Sequence, residues 1–168
     1  MAIQGGFYFS AQNGTVTSST ALSNPFDNNV TVDSLAFLSN QYLSDVITDT
    51  HYDNPDRKGR HLVFLSRILV DYGIEAKGIA CDEYVAVCID ENGIAKVYGD
   101  YPTYDDNAYF IKLNCDNFDA QAGPEVCSAG TPLTWNLNQY ALQVYQIKGD
   151  VNANNSFDLN DWYTASGG

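Results

Sequence analysis

The sequence predicts an α/β fold, and three observations carry that reading. A helical pattern lies between two strand-like runs. A turn-linked pair of strands comes after it. Hydrophobic residues make up 45% of the 168, enough to build a real core.

Residues 1–9 open on an apolar run with a Gly5–Gly6 pair and a short strand, a start expected of a domain entered midway. Residues 10–34 are rich in Ser, Thr and Asn and read as loop, with a turn at Asn24-Pro25. Residues 35–44 read as short helix or loop, and 46–51 as a strand ending in polar residues. Asn54 can cap the next helix, Pro55 suits its first position and Asp56 complements its dipole. Leu62, Leu65, Leu69 and Tyr72 fall on one face of it, and Gly73 ends it. Strands are expected at 77–81, 84–89 and 94–98, the last two joined by a Glu91-Asn92-Gly93 turn. A further strand covers 108–113, a long loop 114–134, a final strand 138–148, and a polar tail the rest. The division expected is an α/β part over 1–113 and a β-rich extension with a tail over 114–168.

The charge narrows the partners. Eight Lys and Arg against 21 Asp and Glu give a net charge of −13. Nucleic acid, which needs a basic face, is therefore not an expected partner. Anionic membrane surfaces are disfavoured, and no apolar run reaches the length of a membrane span. Nothing near Met1 reads as a signal peptide. The four cysteines do not have zinc-module spacing. Cys81 and Cys88 sit in or beside apolar runs and read as buried core thiols. Cys115 and Cys127 bracket a polar loop, either bonded across it or free. A bond there, the few lysines and the acidic Asn/Asp/Thr-rich surface point to an extracellular or periplasmic setting.

Two clusters can carry chemistry. His51 stands at the carboxyl end of a strand and ahead of a helix, where open α/β sheets place their sites; it can act as a general base, or be a loop histidine with a local bond. Asp82 and Glu83 end the next strand; one of them can orient an imidazole, or both can be solvated.

These residues carry a resemblance. Asp49-Thr50-His51, Lys58-Gly59-Arg60 and Gly78-Ile79-Ala80-Cys81-Asp82-Glu83-Tyr84-Val85-Ala86 resemble, in order and spacing, the second half of the cyanophycinase and aspartyl dipeptidase family of serine peptidases. Met1-Ala-Ile-Gln-Gly-Gly resembles the stretch just after that family's G-x-S-A-G nucleophile motif. The resemblance covers about residues 1–113. It implies the second half of a flavodoxin-like, class I glutamine amidotransferase-like three-layer domain and hydrolysis of acidic or β-aspartyl peptides. It assigns His51 as the base and Glu83 as its acidic partner, with Asp82 as the competing choice. Asp49, Thr50 and Arg60 would line the substrate pocket. Val63 stands where the family has a further arginine, and Thr50 where many members have Gln. The nucleophile motif does not occur in the chain. Ser128-Ala129-Gly130 lies in a late loop, and Ser10 lacks the flanking glycines of a nucleophile elbow. The chain is thus expected to be inactive alone, as a fragment or degenerate relative, and to form a homo-oligomer or pair with a complementing chain.

The tail offers another pattern. Asp150, Asn152, Asn154, Ser156 and Asp161 fall at positions 1, 3, 5, 7 and 12 of an EF-type loop, and the stretch resembles half of a dockerin repeat, so calcium is a candidate cofactor there. The plain alternative is a polar tail with Phe157, Leu159 and Trp162 tucked against the domain. With it goes a second functional reading, a secreted acidic binding module whose aromatic surface contacts carbohydrate or protein.

Overall fold

A computed structural model describes residues 5–34, 40–53, 55–114 and 123–167. In chain order these form β1 (Tyr8–Phe9), α1 (Ser18–Ser23), β2 (Val32–Asp33), β3 (Val46–Thr50), α2 (Lys58–Tyr72), β4 (Lys77–Cys81), β5 (Ala86–Ile89) and β6 (Ile94–Tyr98). Next come β7 (Asn107–Leu113), a 3-10 turn (Leu137–Gln139), β8 (Leu142–Lys148), β9 (Ser156–Asp158) and β10 (Ala165–Ser166). The fold is mixed α/β, as the sequence predicts.

The central sheet has the order β3-β4-β7-β8, with β3 and β4 parallel and the other pairs antiparallel. Helix α2 makes the crossover between the parallel strands, as such a pair requires. Strand alternation gives this sheet two apolar faces. Ile47, Ala80, Tyr109 and Ile111 face a core shared with Val63, Phe64, Leu65 and Ile68 of α2. Val46, Ile79, Phe110 and Ile147 face the other way, onto a second core with Ala95, Val97 and Phe157. That second core is closed by an antiparallel sheet of order β10-β9-β6-β5. Phe110 and Phe157 stack across it with centroids 4.3 Å apart. β1 and β2 form a small ribbon, and Phe7 makes a parallel bridge to Ile47 at the β3 edge.

Several expectations are corrected. Helix α2 begins at Lys58 rather than near Pro55. A turn comes first, in which Arg57 N–H donates to Tyr52 O and Lys58 N–H donates to Asp56 Oδ1. Asn54, the expected cap, lies outside the described residues. The end holds: Gly73 is left-handed, with φ of 67°, and its N–H returns to Leu69 O. The stretch 10–34 is not all loop. Thr17 caps α1 through its Oγ1, and α1 survives its weak Ser/Thr propensity by packing on α2 at Gly59. A Cβ on Gly59 would come within 2.7 Å of Leu22 Cδ1, so only glycine permits that approach. Cys88 is exposed, not a core thiol, because β5 is an edge strand whose Ala86 and Cys88 face outward. Cys81 is half-buried, and burial pushes its thiol up to about 12.

The segment after residue 113 contributes β8 to the central sheet and β9 and β10 to the second. The polar tail therefore contains strands, and its Phe157, Leu159 and Trp162 are buried in the second core. Cys127 is a free thiol beside Ser66 Oγ; Cys115, the other end of the bond the sequence left open, lies outside the described residues.

Candidate active site

The site is built at the carboxyl ends of β3 and β4. Their parallel register sets Thr50 beside Cys81, so His51 and the Asp82-Glu83 pair leave the sheet side by side. The next hydrogen bond holds them there: Tyr52 N–H donates to Cys81 O at 3.1 Å. His51 itself is left-handed, with φ of 51°, a conformation costly for a residue bearing a Cβ and common at functional sites. Its Nδ1 lies 3.4 Å from Glu83 Oε1, with the side chains 49% and 39% exposed. Such a contact can hold the ring and favour the Nδ1–H tautomer, leaving Nε2 as the free base.

Asp82 goes elsewhere. Its Oδ2 accepts from Asn107 N–H at 2.9 Å and from the Tyr109 hydroxyl at 3.2 Å. Its Oδ1 is buried without a partner among the described residues. Burial raises the Asp82 carboxyl above its ordinary range, against the two hydrogen bonds that lower it. Burial, with Asp82 next, pushes the Tyr109 hydroxyl up to about 12. The geometry brings Glu83, not Asp82, to the histidine.

Asp49 and Arg60 form a bidentate pair beside this dyad. Arg60 Nε donates to Asp49 Oδ2 at 2.8 Å and Arg60 Nη2 donates to Asp49 Oδ1. Both residues are nearly sealed, at 6% and 5% exposure. Arg60 Nη1 donates to Val16 O, and the guanidinium lies over the Phe9 and Phe64 rings at 5.4 and 5.9 Å. Arg57 reaches back to Thr50 O at 2.9 Å. Burial and the neighbouring Arg60 lower the Arg57 pKa. Together Thr48, Asp49, Thr50, Arg57 and Arg60 line a cavity of about 180 Å³. On the other side of the same strand end, Thr48, Asp49 and Thr50 border a second cavity of about 210 Å³ with Ile79, Cys81 and Val87.

Sequence reasoning missed His61. It is fully buried on α2, its Nε2 3.3 Å from Ile47 O and its Nδ1 3.3 Å from the Tyr52 hydroxyl. The carbonyl can only accept, so Nε2 carries the proton and Tyr52 donates to Nδ1. Burial lowers the His61 pKa and raises that of Tyr52. Gly78 makes the space: a Cβ there would stand 2.8 Å from the imidazole. A glycine opposite a helical histidine was the available signal.

No serine or cysteine side chain is hydrogen-bonded to His51 among the described residues. Ser10 Oγ donates to Thr31, and Ser128 Oγ bonds Thr131 in its own turn. In the tail, Asp150 accepts from Asn152 N–H and Asn154 N–H, Ser156 begins β9, and Asp161 caps Tyr163 and Thr164. Among the described residues no group of three or more His, Cys, Asp or Glu converges to hold a metal ion. None of the described helices is long and apolar enough to cross a membrane.

Comparison with known proteins finds no family model that matches this chain. It also finds no curated protein that matches it.

Proposed function

We propose that this chain is the histidine- and acid-bearing part of a cyanophycinase-like serine peptidase that hydrolyses acidic or β-aspartyl peptides, and that it is inactive alone. The single observation behind this reading is the His51–Glu83 contact of 3.4 Å at the adjacent carboxyl ends of two parallel strands. It is the base-and-orienter pair of a triad, set where open α/β sheets carry their sites. The D-x-H and D-E motifs supply its two members. In the reading, His51 Nε2 takes the proton of a serine hydroxyl as that oxygen attacks the peptide carbonyl, then returns it to the leaving amine. Glu83 steadies the imidazolium. The serine and its oxyanion donors come from a G-x-S-A-G-bearing segment, and the finer fold assignment, a flavodoxin-like half-domain, belongs to the same proposal. Asp49 holds and neutralises Arg60 at the pocket wall, which leaves Arg57, bonded to Thr50 O, as the cation there to meet an acidic substrate.

Intact-mass labelling with a fluorophosphonate serine probe tests this. The chain alone is expected to take no label. Fused at its amino end to the nucleophile-bearing half of a cyanophycinase, it is expected to take one, and to lose it in the His51→Ala variant. Labelling of the chain alone that depends on His51, or a folded fusion that never labels, overturns the proposal.

One observation favours a binding role instead. Tyr84 and Tyr104, 51% and 40% exposed, stack at 3.9 Å beside Glu83, a flat aromatic face of the kind that meets carbohydrate or protein. Saturable glycan-array binding that disappears in Tyr84→Ala, in a chain that gains no activity by fusion, selects that reading.

A further inference from the structure

We propose that the free edge of β8 pairs antiparallel with β8 of a second copy, joining two central sheets into one across a twofold axis. The β7–β8 ladder decides which groups face that edge. Asn114 N–H donates to Ala141 O at 3.1 Å and Gly149 N–H donates to Asp106 O at 3.3 Å. With the β7–β8 register, these set the alternation: Gln143, Tyr145 and Ile147 bond to β7. Leu142, Val144 and Gln146 therefore turn their N–H and C=O groups away from the sheet, and none of these is hydrogen-bonded among the described residues. Val144 is 55% exposed at the centre of this row.

Protein edges are normally guarded by charge, proline, bulges or shortness. The other edges of the two four-stranded sheets are. β3 is bridged by Phe7, β10 has two residues, and the four-residue β5 runs directly into Asp90 and Glu91. β8 is seven residues long, and its one charge, Lys148 at the far end, is paired with Asp105. Tyr140 to Lys148 contains no Asp, Glu, Pro or Gly in a chain with 21 acidic residues. A net charge of −13 makes two copies repel one another in general, and this stretch brings no carboxylate to the contact.

Centred on Val144, the pairing sets Val144 opposite its own copy and Leu142 opposite Gln146, each with donors and acceptors matched. It is an isologous contact. The side chains agree with the backbone. Leu142 and Val144 border an open apolar cavity of about 480 Å³ with Leu62, Leu65 and Ile111, beside the edge that the second copy extends. One strand pair buries less than the roughly 1,200 Å² of a standard interface, so the dimer is concentration-dependent. The β3 edge, bridged by Phe7, lies at the opposite side of the sheet and takes no part in this pairing.

Sedimentation equilibrium over a range of concentrations, in reductant so that exposed Cys88 cannot crosslink copies, tests the proposal. The expected mass rises from 18.5 kDa toward twice that value. Val144→Lys sets like charges together at the axis. Val144→Pro removes a donor that β7 does not use, so the intramolecular ladder is spared. Both variants are expected to keep the parent's melting temperature and remain monomeric at concentrations where the parent dimerises. Hydrogen exchange supplies a second readout: the Val144 and Gln146 amides gain protection with concentration, while Gln143 and Tyr145 are protected throughout. A parent that stays monomeric up to its solubility limit overturns the proposal. So do folded variants that dimerise like the parent.

Discussion

Removing the carboxylate of Asp49 should cost this protein a large part of its stability. Asp49→Ala leaves the Arg60 guanidinium at 5% exposure with its Nε and Nη2 donors unpaired and only Val16 O in reach of Nη1. The Thr50 N–H loses its acceptor as well. A buried pair broken on one side costs about 3–5 kcal/mol, because the surviving charge must be left bare or dragged to water. That is a fifth or more of the roughly 5–15 kcal/mol that a domain of this size holds. Replacing both partners by apolar residues, Asp49→Ala with Arg60→Met, removes the bare charge. The double variant should therefore recover most of the loss, with a coupling of about 2–3 kcal/mol. Urea unfolding at neutral pH, followed by the fluorescence of buried Trp135 and Trp162, measures all four members of the cycle. A single-variant cost below about 1 kcal/mol at unchanged m-value would show that the pair behaves as a solvated surface bridge, and the reasoning would be wrong.

The buried histidine, the thiols and the tail give further tests. His61 has its pKa lowered in the folded state, so below the unfolded value of 6.5 the unfolded chain takes up a proton that the folded one resists. Stability should fall as pH drops below about 6.5, by up to ~1.4 kcal/mol per unit, and a His61→Gln variant should flatten that slope in urea titrations. Cys88 should react with a thiol reagent within the first phase, while half-buried Cys81, its thiol pushed up to about 12, should wait for unfolding; equal rates would contradict the exposed placement of β5. If the tail spacing holds calcium, the ion should raise the melting temperature in the parent and not in Asp150→Ala, and chelator should reverse it.

How much of the fold and site was legible depends on the kind of signal each element carries. β3, α2 and β4 were readable because hydrophobic periodicity and a terminal glycine act locally; Gly73 adopts the left-handed cap its position demands. α1 was not, since Ser18-Ser19-Thr20 has weak helical propensity and the helix exists through Gly59 and the Ser18 hydroxyl bonded to Asp56 O. β9 was hidden for a similar reason. Phe157 is the one apolar residue of Ser156–Asp158, and only pairing with β6 makes its segment a strand. At the candidate site, the D-x-H and D-E motifs fall at the ends of β3 and β4, which the parallel register sets side by side. The sequence does not decide which acid meets His51, because adjacent residues at a strand end diverge; Asn107 and Tyr109 on β7 claim Asp82, and that contact is long-range. For His61 the signal was the glycine opposite it, Gly78, and only the packing of α2 on β4 makes the two neighbours.

The most direct test of the proposed role is a comparison of Glu83→Gln with Asp82→Asn in the fusion that carries a nucleophile, measured as kcat/KM on a β-aspartyl dipeptide. Glu83→Gln should lose about 10²–10⁴-fold, the scale on which general-base catalysis and its orienting acid act. Asp82→Asn should change stability while leaving kcat/KM within a few-fold. Loss of activity in Asp82→Asn with Glu83→Gln unimpaired would contradict the His51–Glu83 dyad and with it the proposed role of this chain.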